Sequence, residues 1–223
     1  MDHELSPAAQ AMRDHLAARF PDAELTILPP TPGRISGRMS LHVARLKLPR
    51  FGWIYATTGL WDATQKHGHA LEFVLHASIP EDDLHVETLT MTAWYHALGG
   101  DHELGLGHTV PIGRPWLPGS SCDHLLVSLP YPWGPELEQC ELPGGHARVL
   151  WLLPITEAEK IYRHQNDLEA LEQRLEDAGI NPVDPHRTSV VAEDEIGGLP
   201  RKRARRFLRR ISGRGPARPS GTP

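Results

Sequence analysis

The chain has 223 residues and 39% hydrophobic content, which suits one globular domain with a sizeable core. No apolar stretch approaches the roughly 20 residues that cross a bilayer, and the acidic start "MDHELSPAAQAMRDHL" does not resemble a signal peptide, so we expect a cytoplasmic protein without a membrane span. The formal net charge of −5 is unevenly distributed, because residues 201–223 hold nine Lys/Arg and no acids while the other 200 residues hold 14 Lys/Arg and 28 acids.

The first predicted elements are an amphipathic helix and a short strand. In "SPAAQAMRDHLAARF", Ser6 is a suitable N-cap, Pro7 suits the first helical position, and apolar residues recur at helical spacing. This pattern predicts a helix over residues 7–20. A strand is predicted at Glu24–Leu28, followed by a loop in "PPTPGRISG", so residues 1–34 are assigned to an N-terminal helix and lead-in.

Three strands and a long helix are predicted next. The stretches "MSLHVARLKL", "FGWIYATTGL" and "ALEFVLHASI" have the apolar, aromatic and β-branched content typical of strands, and "WDATQKHGH" supplies the turn between the last two. In the third strand, Leu71, Phe73 and Leu75 share one face. A helix is predicted over residues 82–98, because acids begin "EDDLHVETLTMTAWYHALGG" and glycines end it. The residues expected on its buried stripe are Leu84, Leu89, Trp94 and Leu98.

The second half of the chain contains a loop, two strands and two helices. The stretch "GDHELGLGHTVPIGRPWLPGS", residues 99–119, is predicted to be a loop because of its glycines and prolines. The stretches "CDHLLVSLP" and "HARVLWLLPI" are typical of strands and are joined by "YPWGPELEQCELPGG". Thr156 and Glu159 have the spacing of a capping box that starts a helix. The same spacing recurs from Asn166, which predicts a break and a second helix over residues 167–178.

These elements predict an α+β fold, with a mixed or antiparallel sheet and packed helices in one domain over residues 35–195. Residues 196–223 are predicted to form a basic disordered tail, because "RKRARRFLRRISGRGPARPSGTP" cannot bury enough apolar area to fold alone. The charge of residues 201–223 favours weak, non-specific binding to polyanions, as in a nucleic-acid accessory protein. The interpretation that we favour is a solvated end that sometimes folds back onto the acidic domain, because a tail without interleaved aromatic residues binds polyanions only non-specifically.

The 14 histidines call for a test of metal binding, but their spacing does not support it. The candidate ligands are His67, His69, His102 and His108. No zincin helix motif or paired-cysteine spacing accompanies them. There is also no G-x-S-x-G elbow or P-loop, and Cys122 and Cys140 lie in no catalytic signature. We therefore expect no catalytic residue, metal or cofactor, and a metal-dependent enzyme using these histidines stays an alternative.

Several stretches resemble the suppressor of fused (SUFU-like) domain family. "GDHELGLGHTVPIGRPWLPGSSCDHLLVSLP" carries the family's Gly-His-Thr-x-Pro turn and following strand, and "VLWLLPITEAEKIYRHQNDLEALEQRLEDAGINPVDPHRTSV" resembles its later strand and helical end. Upstream, "WIYATTGLWD" and "LEFVLHAS" resemble a strand pair of the family. The resemblance covers residues 35–191. It departs from the family at the turn, where Ser usually follows the Gly-x pair and this chain has Trp61 and then Asp62.

The resemblance implies a structural role for the glycine-rich loop. In this family the Gly-His-Thr-x-Pro segment joins a helix to the sheet and is not known as a catalytic centre. Glycines permit unusual backbone angles and prolines stiffen the path, while His108 and Thr109 can hydrogen-bond otherwise unpaired backbone. The residues assigned to this structural loop are Gly105, Gly107, His108, Thr109 and Pro111.

The resemblance also implies protein binding without catalysis. The animal relative sequesters a transcription factor by adding a strand of the partner to its own sheet, and bacterial relatives have been proposed as immunity proteins that neutralise polymorphic toxins. An exposed edge strand permits such addition. The excess of 14 acids in the first 200 residues suits a basic partner, such as a toxin nuclease domain.

The residues that the resemblance places in partner binding lie on the predicted strand "FGWIYATTGL" and on the turn that follows it. A tyrosine that helps to hold the partner peptide in the animal relative falls on Tyr55. The adjoining turn falls on Gly59, Leu60, Trp61 and Asp62. The alternative is that Tyr55 and Trp61 are ordinary core or rim aromatics, since aromatic residues mark both cores and binding hot spots.

Overall fold

One mixed β-sheet with helices on both faces makes up the fold of the protein, seen in a computed structural model that describes residues 5–28, 39–65 and 70–196. The strands are β1 (Glu24–Leu28), β2 (His42–Leu48), β3 (Gly52–Thr58), β4 (Leu71–Ala77), β5 (Thr109–Pro111), β6 (Cys122–Ser128), β7 (Gln139–Leu142) and β8 (Gly145–Thr156). The helices are α1 (Pro7–Arg19), α2 (Leu60–Thr64), α3 (Asp82–Ala97), α4 (Pro135–Glu138), α5 (Glu157–Gln165) and α6 (Leu168–Asp177).

The strand order is β1-β2-β3-β4-β8-β6-β5, and β7 pairs with the first part of β8. Strands β1 to β4 form an antiparallel meander. Strand β8 then runs parallel to β4, with Leu71 opposite Arg148, and antiparallel to β6 and β7. Strands β1 and β5 end the sheet, so within the described parts of the chain their outer edges have no strand partner.

Hydrophobic cores lie on both faces of the sheet. On one face, Met12 and Leu16 of α1 and Leu171 of α6 pack with Val74 of β4. On the other face, α3 packs against the alternate β4 residues, including Phe73. Because both faces are covered, the central strands are almost continuously apolar, as in the buried "VLWLLPI" of β8.

The α+β fold and several helix starts are confirmed. Ser6 caps α1, its Oγ accepting a hydrogen bond from Ala9 N at 3.0 Å. At α5 the capping box is complete, because Glu159 N donates to Thr156 Oγ1 and Thr156 N donates to a Glu159 carboxylate oxygen. In the described ranges, no helix combines the length and apolarity needed to cross a membrane.

The buried side of α3 differs from its predicted stripe. Leu89 is buried, but Leu98 is 53% exposed. Polar residues take the inner positions because their side chains find backbone acceptors: Thr92 Oγ1 donates to Thr88 O, and His85 Nε2 lies 2.9 Å from Ile79 O. The buried residues of α3 are His85, Val86, Thr88, Leu89, Thr92, Ala93 and His96.

Short elements appear where the sequence predicted turns and loops. Leu60–Thr64 is a helix that follows the left-handed Gly59. Thr109–Pro111, inside the predicted loop, forms a strand because β6 offers it a pairing edge. Gln139–Leu142 forms a hairpin with β8. At α6 the N-cap is Asp167, because Asn166 instead ends α5, its backbone N–H donating to Tyr162 O.

Candidate functional site

The turn after β3 is organised by a buried carboxylate, that of Glu72 on β4. Its Oε1 accepts hydrogen bonds from the backbone N–H groups of Gly59 and Trp61, each at 3.0 Å, and its Oε2 accepts one from Thr57 Oγ1 at 2.6 Å. The side chain of Glu72 is almost wholly buried. The carboxylate therefore satisfies backbone donors that have no strand partner where β3 ends.

The turn itself needs glycine and is anchored by its neighbours. Gly59 has φ +101°, and a Cβ there would lie 2.6 Å from Ser40 O. Leu60 and Trp61 are buried in opposite cores, and Trp61 Nε1 donates to His146 O at 3.0 Å. The turn is thus tied to both cores and to the start of β8.

The N-terminus of α1 meets the same turn. Ser6 Oγ donates to the carboxylate of Asp62 while it also caps α1. Asp62 is half-buried, in contrast to the buried residues that precede it. The Asp62 side chain therefore fixes the first helix against the turn and remains partly accessible.

Burial controls the titration of this region. Burial raises the pKa of Glu72 from 4.5 to about 7, the three hydrogen bonds oppose that rise, and the charge of Asp62 adds to it. Burial also raises the pKa of the Cys140 thiol to about 12, with a further contribution from the charge of Glu72. Because the thiolate is the reactive form, Cys140 is not an activated nucleophile at neutral pH.

Tyr55, itself buried, belongs to a second polar network, whose other members Arg45 and Asp82 are half-buried at the rim of the core beside α3. Its hydroxyl donates to Asp82 Oδ1 at 2.5 Å, and Arg45 donates to Asp82 Oδ2 at 2.5 Å. The Tyr55 ring packs on the His85 ring with centroids 4.6 Å apart. Burial and the bond to Asp82 raise the pKa of Tyr55 far above its ordinary range. The neutral Tyr55 hydroxyl thus links β3 to Asp82 at the start of α3.

The structure brings the predicted partner-binding residues together, but it buries most of their side chains in the core. Tyr55, Leu60 and Trp61 are no more than 6% exposed, so direct contact with a partner would require them to leave the core. Sequence reasoning did not single out Glu72 and Asp82, which hold these residues in place. The available signal for Glu72 was a lone acid inside the apolar strand "LEFVLHA".

The glycine-rich loop has the hydrogen bonds expected of a shaped connection. Gly107, at φ +82°, donates from its N–H to Val127 O at 2.7 Å, and His108 N donates to Gly105 O at 3.0 Å. His108 O accepts from Val127 N at 2.9 Å. The His108 side chain is exposed, so its backbone, rather than its ring, shapes the loop.

A shallow cleft of about 330 Å³ lies along the outer edge of β5. Its lining comes from His108, Thr109 and Pro111, from His124 of β6, from α5, and from α3 and the segment that follows it. Thr109 Oγ1 lies 3.1 Å from His164 Nε2 of α5. Three residues predicted to form a structural loop therefore also face a solvent-accessible groove.

Of the four histidines considered as metal ligands, the structure describes His102 and His108. His67 and His69 lie outside the described residues. The His102 ring packs on Tyr95 with centroids 4.8 Å apart, whereas His108 lines the β5 cleft. Across residues 5–28, 39–65 and 70–196, no group of three or more His, Cys, Asp or Glu residues is placed to hold a metal ion.

Comparison with known proteins gives a family match and several similar structures. Residues 37–188 match the family described as suppressor of fused protein (SUFU). A crystal structure of a SUFU homologue from Neisseria gonorrhoeae is similar at 33% identity and a TM-score of 0.72, over 83% of this chain and 98% of that one. No curated protein sequence matches the chain.

Two more distant structures share the fold. One is the Sufu–Fu complex, with 16% identity and a TM-score of 0.60 over 84% of this chain and 93% of the matched chain. The other is suppressor of fused from Drosophila, with 15% identity and a TM-score of 0.57 over 85% of this chain. The matched region spans 54% of the Drosophila chain.

Proposed function

The chain belongs to the suppressor of fused protein family, and we propose that it is a non-enzymatic domain that binds and sequesters another protein. The observation that carries this proposal is the family match over residues 37–188, together with the solved complex of a distant relative, Sufu, with the protein Fu. The more specific role that we propose is that of an immunity protein, which neutralises a toxin by direct binding.

The free edges of the sheet support capture by strand addition. Strands β1 and β5 end the described sheet, and an edge strand presents N–H and C=O groups that an incoming segment can pair with. Capture at an edge uses groups that the fold leaves without a strand partner. It does not require Tyr55 or Trp61 to leave the core.

Charge supports a basic partner. The first 200 residues hold twice as many acids as Lys/Arg, and such an excess attracts basic proteins over long range. A toxin domain that acts on nucleic acid carries the matching positive charge. We place this capture in the cytoplasm, where the free and buried cysteines Cys122 and Cys140 would stay reduced.

Affinity capture from the native host's lysate tests the proposal. The full chain and a version that ends at Pro200 are used as baits at moderate salt, and the retained proteins are identified by mass spectrometry. One dominant protein held by both baits, whose toxicity on expression is suppressed by co-expression of this chain, would establish sequestration. Retention of nucleic acid or ribosomal material alone, lost with residues 201–223, would instead assign the activity to the basic tail.

A further inference from the structure

Helix α5 presents a row of basic side chains to the outer edge of β5. Lys160, Arg163 and His164 all line the cleft described above, because residues three and four apart share one side of a helix. Within the described parts of the chain, neither Lys160 nor Arg163 has an ion-pair or hydrogen-bond partner. The cleft therefore has positive charge that the fold itself does not use.

Arg163 is held in an unusual setting for an arginine of this protein. Its Nε is buried and has no hydrogen-bond partner, and its guanidinium lies under Gly107, where an added Cβ would approach Nη2 to 2.7 Å. The other arginines of the described residues that are at least half-buried pair with carboxylates. They are Arg13, Arg45, Arg114, Arg148, Arg174 and Arg187. Arg163 lines the cleft and, unlike those arginines, has no carboxylate partner within the described residues, so a carboxylate on a bound segment can pair with its guanidinium through the Nη groups.

The backbone of β5 offers hydrogen bonds next to these charges. Val127 N donates to His108 O and Ile112 N donates to Asp123 O, which sets the alternation of the ladder between β5 and β6. By that alternation the N–H and C=O of Thr109 point away from β6. An extended segment can therefore pair with Thr109 along the cleft.

The two sides of the β5 edge carry opposite charges. Lys160 and Arg163 lie on the side of α5, where Thr109 meets His164. Asp101 and Glu103 line the cleft from the segment after α3, on the side where Val110 is buried against the α3 core. Side chains of an added strand point alternately to these two sides. One side thus favours an acidic side chain and the other a basic one.

We propose that the β5-edge cleft binds an extended segment of the partner protein in which an acidic residue pairs with Arg163 and Lys160 and an adjacent basic residue faces Asp101. This inference rests on the proposed function, because the cleft would supply the contacts by which the domain recognises the protein that it captures. The acidic excess of the whole domain attracts a basic partner at long range, and the cleft then selects a local acid–base pair within it.

The test uses a displayed library of random 12-residue peptides as the probe and the full chain as the target. Selected peptides should be enriched in Asp or Glu directly beside Lys or Arg. Arg163→Glu should weaken their binding at least tenfold, as expected for reversal of one member of a close charge pair. A new selection on that variant should replace the acid by Lys or Arg. Arg50→Glu, an exposed site in the β2–β3 turn, serves as the matched control and should leave binding unchanged.

The backbone contact has its own pair of variants. Thr109→Pro removes the outward N–H, whereas Thr109→Val keeps it and removes only the hydroxyl bonded to His164. The expected result is loss of peptide binding with Thr109→Pro and retention with Thr109→Val. Circular dichroism and thermal unfolding verify that each variant is folded.

Three results would overturn the proposal. The first is selection of peptides that contain no acidic residue. The second is equal binding of the selected peptides to the wild type and to Arg163→Glu. The third is a dimer in sedimentation that Thr109→Pro dissociates, because a second copy of the chain would then occupy the β5 edge. The proposed function would survive any of them if the lysate capture still retained one dominant protein. Conversely, an empty capture would count against sequestration whatever peptides the cleft selects.

Discussion

Replacement of Glu72 by glutamine should flatten part of the dependence of stability on pH. In the folded chain, burial raises the pKa of Glu72 to about 7, against 4.5 for an ordinary glutamate. Between these values the folded state keeps a proton that the unfolded chain has released. Stability from this group is therefore full below pH 4.5 and is lost as the pH rises through 7.

The size of the effect follows from the shift. At about 1.4 kcal/mol per pKa unit, the free energy of unfolding should fall by about 2.5 kcal/mol between pH 5 and pH 8 because of this one carboxyl. Glutamine fits the same hydrogen-bond pattern. Its carbonyl can accept from the N–H groups of Gly59 and Trp61, and its amide can donate to Thr57 Oγ1, whose own proton can turn to Phe73 O.

Urea unfolding of the wild type and of Glu72→Gln at pH 5 and pH 8 gives the measurement. The variant should gain about 2.5 kcal/mol relative to the wild type on going from the lower to the higher pH. Desolvation lowers the pKa of His76 and of His85, and because both histidines are present in both proteins, their contributions cancel in the comparison. Parallel stability curves would refute the reasoning, since they would mean that the three hydrogen bonds outweigh burial and keep the pKa near 4.5.

Three further substitutions test how the core networks act. Gly59→Ala should lower the free energy of unfolding by about 2 kcal/mol or more, because its Cβ would lie 2.6 Å from a backbone carbonyl oxygen; an unchanged urea midpoint would contradict the strained geometry. Arg187→Met should cost about 3–5 kcal/mol in the same assay, since it leaves Glu159 buried and unpaired, and adding Glu159→Gln should recover part of the loss. Tyr55→Phe should cost about 1 kcal/mol through the lost bond to Asp82 and leave the affinity for the captured partner unchanged. A weaker affinity with normal stability would show that Tyr55 contacts the partner.

The elements that the sequence predicted well are those set by local rules. The N-cap at Ser6 and the capping box of Thr156 and Glu159 depend on residues within one helical turn, and both are present. The strands with strong apolar runs are also present, because burial on one or both faces leaves a direct signature.

The parts that the sequence did not predict depend on contacts between distant residues. Glu72 binds a turn 11 to 15 positions earlier, and Asp82 binds Tyr55 27 positions away, so neither partner can be read from local spacing. Strand β5 is three residues long and contains a proline, and it becomes a strand only because β6 lies beside it. The buried side of α3 was also predicted only in part. Thr88 and Thr92 can be buried because their hydroxyls donate hydrogen bonds to backbone carbonyls of the same helix.

The energetics of these networks favour recognition at the sheet edge over recognition at the turn. A partner that bound Tyr55 or Trp61 directly would have to break hydrogen bonds to the half-buried carboxylate of Asp82 or to the buried carboxylate of Glu72. Leaving such groups unsatisfied costs about 1–3 kcal/mol each, and more where they are charged, before any contact with the partner is made. At β5, the outward groups of Thr109 and the guanidinium of Arg163 have no partner to lose within the described part of the chain. Contacts there would add to the binding free energy without dismantling the core, so the capture that we propose at the β5 edge is compatible with a rigid centre.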